Sequence, residues 1–163
     1  MGDRRGSESS RSGAGLWSEA VGHLLPSSVI KTLPNIHDHS LLEYRVDLAN
    51  RRITLITLPE SARLLPNIPP VETVFEGREG HHFDRVSSGV IFLDIEEAPL
   101  VEFLKAHEIE LDEGSKSVGA PSWWGGSIEK ARAYLITRNV HAFEINSSFG
   151  FSGWVLATHV RQV

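Results

Sequence analysis

The run Leu42-Glu43-Tyr44-Arg45-Val46-Asp47-Leu48-Ala49-Asn50-Arg51-Arg52-Ile53-Thr54-Leu55-Ile56-Thr57-Leu58 decides the fold class. Tyr44, Val46 and Leu48 alternate with Glu43, Arg45 and Asp47, the period of a half-buried strand, and after Ala49-Asn50-Arg51 the apolar residues resume at Ile53 and Leu55. Two such runs across a short polar break predict an antiparallel hairpin, with Asn50 taking the positive φ that the turn requires.

Downstream, prolines 59, 66, 69 and 70 predict a loop, because each removes a backbone donor. Two strands are expected next: residues 71–76, which alternate, and residues 90–95, which are apolar on both faces and so read as a central strand. Pro99 opens a helix carrying Leu100, Phe103, Leu104 and His107 at three- and four-residue steps, and Gly114 is the expected stop. Trp123-Trp124-Gly125-Gly126 lies in a loop, after which Ser127 caps a helix over 128–138 that faces inward with Ile128, Ala131, Leu135 and Tyr134. Asn139 suits the left-handed residue beyond its end. Strands 141–145 and 154–160 close the chain. Upstream, Leu16, Trp17, Ala20, Val21, Leu24 and Leu25 form a helical stripe that Pro26 ends, and residues 1–15 contain no Leu, Ile, Val or Phe, the composition of a disordered tail. The element order lacks regular strand–helix alternation. It predicts one α+β domain over 16–163: a mainly antiparallel sheet of about six strands with two to three helices packed on it.

Composition narrows the function. The chain has 163 residues, 40% of them apolar and 23% charged, the profile of an ordinary globule. It has no cysteine, so disulfides and thiolate metal sites are excluded. Its net charge of −5 argues against a nucleic-acid partner, which calls for a basic patch. Neither a membrane-length apolar run nor a secretory leader is evident, so no membrane role and a cytoplasmic location are expected.

Eight histidines invite a metal-site reading. His37-Asp38-His39 with His81 and His82 would be the cluster, although no His-Glu-x-x-His run accompanies it. Gly150-Phe151-Ser152-Gly153 begins like a nucleophile elbow but lacks the Gly-x-Ser-x-Gly order and leads into a strand. Neither a phosphate-cradling nor a dinucleotide glycine motif occurs. Between residues 94 and 113, eight carboxylates face Lys105 alone, a density that would attract a cationic partner. Within that run, Asp94 and Glu96 share one strand face and would suit paired acid–base work; a solvated helix surface is the plainer account of the rest. Trp123 and Trp124 sit where two indoles cannot easily both turn inward, so one is expected to stay exposed as an interface anchor, the alternative being a plug under the sheet.

The hairpin with Asp47-Leu48-Ala49-Asn50-Arg51-Arg52-Ile53, Val74-Phe75-Glu76-Gly77, Val90-Ile91-Phe92-Leu93-Asp94-Ile95, Trp123-Trp124-Gly125-Gly126-Ser127 and Ala142-Phe143-Glu144-Ile145-Asn146-Ser147-Ser148-Phe149-Gly150 resemble segments of small bacterial α+β proteins, some of them similar to immunity proteins of polymorphic toxin systems. The resemblance spans about residues 37 to 160. It implies a cytoplasmic, non-enzymatic protein, without cofactor, that binds and neutralises a toxin. The leading expectation is therefore a binding module for a basic protein partner, with Glu102, Glu108 and Glu110 steering association and Trp123 or Trp124 as the buried anchor. The alternatives are a metal-dependent hydrolase built on His37, His39, His81 and His82, and a structural homo-oligomer.

Overall fold

The predicted hairpin is present in the computed structural model, which describes residues 33–65, 67–84, 89–118 and 121–163. The expected tail over 1–15 and the helix over 16–25 lie outside the described residues. Strand β1 (His39–Asp47) pairs antiparallel with β2 (Arg52–Pro59), placing Tyr44 opposite Leu55 and Val46 opposite Ile53. The positive φ falls on Arg51 (52°) and not on Asn50. Asn50 is tied instead to the Asp47 carboxylate, through its backbone N–H (3.0 Å) and its side-chain amide (2.7 Å), so the left-handed step passes to the next residue.

The remaining strands are β3 (Val71–Glu76), β4 (Gly80–Asp84), β5 (Ile91–Ala98), β6 (His141–Phe149), β7 (Ser152–Ala157) and β8 (His159–Gln162), with helices α1 (Leu100–Ala106), α2 (Glu108–Val118) and α3 (Ile128–Thr137). All pairings are antiparallel, in the order β4-β7-β6-β5-β1-β2-β3-β8. The class is α+β, but the sheet has eight strands where about six were expected. The excess arises at a corner. There β3 runs on into β4 and β7 into β8, and the two bent ribbons pair along both arms.

At that corner the Glu76 carbonyl accepts both the backbone N–H and the hydroxyl of Thr158, at 3.0 Å each, while the Glu79 N–H donates to the Leu156 carbonyl at 2.8 Å. The register slips by one residue between the arms, the mark of a bulge that turns the strand. Gly77 (φ 65°) supplies the turn, and a Cβ there would strike the Thr158 side chain. The ends of the strand order thus meet and the sheet closes on itself. Phe75 of β3 reaches Phe143 of β6 across the interior, ring centroids 5.7 Å apart.

Two apolar layers follow from this wrap. Ile53, Leu55, Phe75, Phe92, Ile145 and Val155 fill the interior. On the outer face, Trp154 and Leu156 of β7 and Ala142 of β6 lie beneath Phe103, Leu104, Ala131 and Leu135 of the helices. β7 is buried on both sides because it belongs to both layers. Strand β5 departs from its expected two-sided burial: a bulge skips Leu93 in the pairing with β6, so Phe92 and Ile95 face inward together and Leu93 stays 39% exposed.

The helices are set by local signals and by packing. Ser127 caps α3 by accepting from Lys130 N–H (3.3 Å), Asn139 takes φ 54° after its end, and Ala131 and Leu135 are its buried face, with Ile128 and Tyr134 partly buried. The expected stop at Gly114 is absent. The helical path breaks at His107 instead, and α2 runs through Gly114 with Leu111 buried and Asp112 anchored to the Trp124 indole at 3.0 Å. Tertiary packing here outweighs a glycine's helix cost of about 1 kcal/mol.

Trp123 and Trp124 are 2% and 3% exposed, so the expected exposed anchor is not there. The first donates to the Glu79 carbonyl at 3.2 Å and the second to Asp112, and their rings meet edge to face. Burying an indole of 150–250 Å² stabilises by about 4–6 kcal/mol, so neither ring is free to swing out as an anchor. Among the described residues no helix is long and apolar enough to cross a membrane.

Two glycines give opposite outcomes when a methyl is added. A Cβ on Gly114 meets nothing within 4 Å, so Gly114→Ala should raise stability by about 0.5–1 kcal/mol. A Cβ on Gly153 overlaps the His82 carbonyl oxygen and the Phe83 Cα, which are backbone atoms of β4, so Gly153→Ala should cost about 3 kcal/mol or more. Urea denaturation of both variants measures the contrast.

Candidate functional site

Strand pairing alone builds a polar belt on the outer face of the sheet. One row across four strands reads Glu96, Glu144, Trp154, His82, and the adjacent row carries Asp94 beside Asn146 and Asp84 beside Ser152. Because residues two apart share a face, these positions converge whatever lies between them in sequence. Helix α2 reaches over the belt with Glu110, and the turn before it contributes His107.

His82, Asp84, His107, Glu110, Glu144 and Trp154, with Asn146 and Ser152, line a cleft of about 240 Å³. His82 Nε2 lies 2.8 Å from Asp84 Oδ1 and His82 Nδ1 lies 3.3 Å from Glu110 Oε1. The other Glu110 oxygen is 3.0 Å from His107 Nδ1. Asn146 donates to Asp94 at 2.9 Å. The His82 ring stacks over Trp154, centroids 6.2 Å apart and planes within 24°. Among the described residues no lysine or arginine lines the cleft, and Asp84, Glu110 and Glu144 are its carboxylates.

Trp154 is 5% exposed and lines this cleft, yet its indole Nε1 has no hydrogen-bond partner among the described residues. A buried N–H without an acceptor costs free energy that native structures rarely leave uncompensated.

The sequence-predicted residues divide. Glu110 enters the cleft, and Asp94 and Glu96 do share a face beside it. Glu102 and Glu108 are exposed on the neighbouring helices. Trp123 and Trp124 are sealed beneath them. The histidine cluster is not assembled: His37 faces solvent against Asp38, His39 Nδ1 contacts the Thr57 hydroxyl at 2.9 Å, and His81 lies beside Tyr44, Val46 and Leu48. From His39 to Val46 is seven residues, roughly 23 Å of strand, so the four imidazoles sit at opposite ends of β1. Among the described residues no group of three or more histidines and carboxylates is placed to hold a metal ion. Asp84, Glu144, Asn146, Ser152 and Trp154 escaped the sequence reading. Polar residues at i and i+2 on 82–84 and 144–146 were the available signal.

Compared with protein-family models, curated proteins and solved structures, the chain matches none. The cleft must therefore be read from its own chemistry.

Two measurements check this geometry. Trp124→Phe and Trp154→Phe remove the same indole volume, but only the first breaks a hydrogen bond to a carboxylate. Trp124→Phe should cost about 1.5–3 kcal/mol more than Trp154→Phe in denaturant titrations. The second concerns pH. Burial, then the Arg78 guanidinium and His82, hold His81 below the usual imidazole value of 6.5, and burial does the same for His39 against an opposing pull from Asp38. The unfolded chain thus binds more protons in the window just below 6.5, so this stability is full above that value and is lost as pH falls. Unfolding midpoints should drop on acidification from pH 7, and His81→Gln should flatten the slope.

Proposed function

We propose that the protein is a non-catalytic binding module of the cytoplasm that captures a basic protein partner, the cleft receiving one of its arginine or lysine side chains. The observation that carries this reading is a cleft walled by Asp84, Glu110 and Glu144 over Trp154, whose buried indole N–H has no acceptor among the described residues. An acceptor oxygen satisfies the indole, and a cation satisfies Asp84, Glu110 and Glu144. A basic residue in a polypeptide offers both, through its side chain and its own carbonyl. Glu102 on α1 and Glu108 on α2, both exposed, add negative charge to the helix layer and steer encounter. The immunity-type reading, with a toxin as the basic partner, rests on the same surface.

His82 supports binding over catalysis. Each of its ring nitrogens faces a carboxylate oxygen, Asp84 at 2.8 Å and Glu110 at 3.3 Å, so the ring is clamped between two acidic side chains as part of the cleft wall.

The test uses acetyl-Gly-Arg-Gly-amide and its glutamine counterpart as probes. In titrations followed by ¹H–¹⁵N NMR, the arginine peptide should shift the Trp154 indole resonance saturably and the glutamine peptide should not. Glu110→Gln with Glu144→Gln should abolish the shift, and added salt should weaken it. Equal response to both peptides, or none to either, overturns the reading.

A further inference from the structure

On the other face of β4 lies a second cavity with the opposite chemistry. β1 touches β5 only near its start, at the Ser40–Ile91 bridge and the flanking bonds of Asp38 to Phe92 and Leu41 to Val90. Beyond that point its outer edge leaves the sheet, and a groove of about 480 Å³ opens between the end of β1 and β4. Tyr44, Val46, Leu48 and Phe83 give it apolar walls, and Leu48 is 66% exposed. His81 lines the same groove and receives a hydrogen bond at Nδ1 from Arg78 at 3.2 Å. We infer that this groove binds an organic anion with an apolar body, a medium-chain carboxylic acid, with the carboxylate at His81 and Arg78 and the chain along Tyr44, Val46, Leu48 and Phe83.

Charge complementarity selects that occupant. The corner beside the groove brings together Arg51, Arg78 and Arg138. The carboxylate among them is Glu79, which pairs with Arg51 and, at 3.5 Å, with Arg138. Among the described residues, no carboxylate lies within ion-pair distance of Arg78, and its Nε is buried without an acceptor. Arg78 stands behind His81 and brings to this end of the groove a positive charge that no described carboxylate pairs with. Arginine is always a donor, so His81 Nδ1 accepts and the proton sits on Nε2, leaving an N–H to offer an anion. The volume lies within the range of small-molecule sites, and the pattern of apolar walls with one polar end at the mouth of a closed sheet is that of such sites. A cationic or wholly apolar ligand would leave Arg78 unmatched.

The probes are sodium octanoate, octan-1-ol and octylammonium chloride, titrated calorimetrically into the full chain at equal ionic strength. Octanoate should bind one to one, at least tenfold tighter than octanol, with no saturable octylammonium binding. Arg78→Met and His81→Leu should erase the advantage over octanol. Leu48→Glu, on an exposed side chain where folding is not at stake, should weaken octanoate at least tenfold. Glu144→Gln, at a residue that lines the acidic cleft and not the groove, should leave octanoate affinity intact, so this site and the acidic cleft stand or fall separately. Equal affinity for the three probes, no saturation with octanoate, or wild-type selectivity in both corner variants overturns the inference. A concentration-dependent dimer in light scattering that octanoate fails to dissociate puts a second copy in the groove and also overturns it.

Discussion

The carbonyl of Glu76, shared by the backbone N–H and the hydroxyl of Thr158, is the point at which the sheet turns over on itself. Without that joint β3 and β4 would continue as one straight strand, as would β7 and β8. A flat antiparallel sheet would then expose on its concave face the phenylalanines that now meet across the interior. The constraint is steric as much as electrostatic. The left-handed backbone at Gly77 lets the strand pass close to Thr158, and the one-residue slip in register converts that approach into a change of direction. Everything inside the wrap depends on this corner, and so does the position of β4, whose two faces look into cavities of different character.

Those cavities divide by charge because strand geometry sends neighbouring residues to opposite sides. His82 and Asp84 turn outward, toward Glu110 and Glu144, whereas His81 and Phe83 turn toward Tyr44 and the interior, and His82 borders both cavities. The helices decide how much of the outer face stays open. Trp123 and Trp124 close the helix layer from below, each with its indole nitrogen paired, while Trp154 at the margin of that layer keeps an unpaired one. Three indoles of one apolar cluster thus differ in their hydrogen bonding: among the described residues two have an acceptor and the third has none.

Much of the fold was legible in the sequence where local rules govern. The alternation over 44–48, the strand over 71–76, the Ser127 cap and the left-handed Asn139 each follow from neighbours a few residues away. What was not legible depended on partners far along the chain. Gly80-His81-His82-Phe83-Asp84 is too short, and too polar on both faces, to announce a strand; its pairing with β7, some seventy residues later, makes it one. The bulge at Leu93 is imposed by β6, and the helix continues through Gly114 because Leu111 and Asp112 are held by packing. The candidate site shows the same division. Glu110, Asp94 and Glu96 stood out as a density of charge, but their meeting with Asp84, Glu144 and Trp154 is a product of register across four strands, which no linear spacing encodes.

Among the described residues, strand β4 has a hydrogen-bonded neighbour on one side only. It is a shared partition with a free margin, five residues long, and such margins are where native structures open first. Peeling it from β7 would demolish the acidic pocket and the apolar channel in one step. Any molecule lodged in either compartment therefore adds to the work of that peeling, and the two compartments are thermodynamically linked through a partition neither occupant needs to cross.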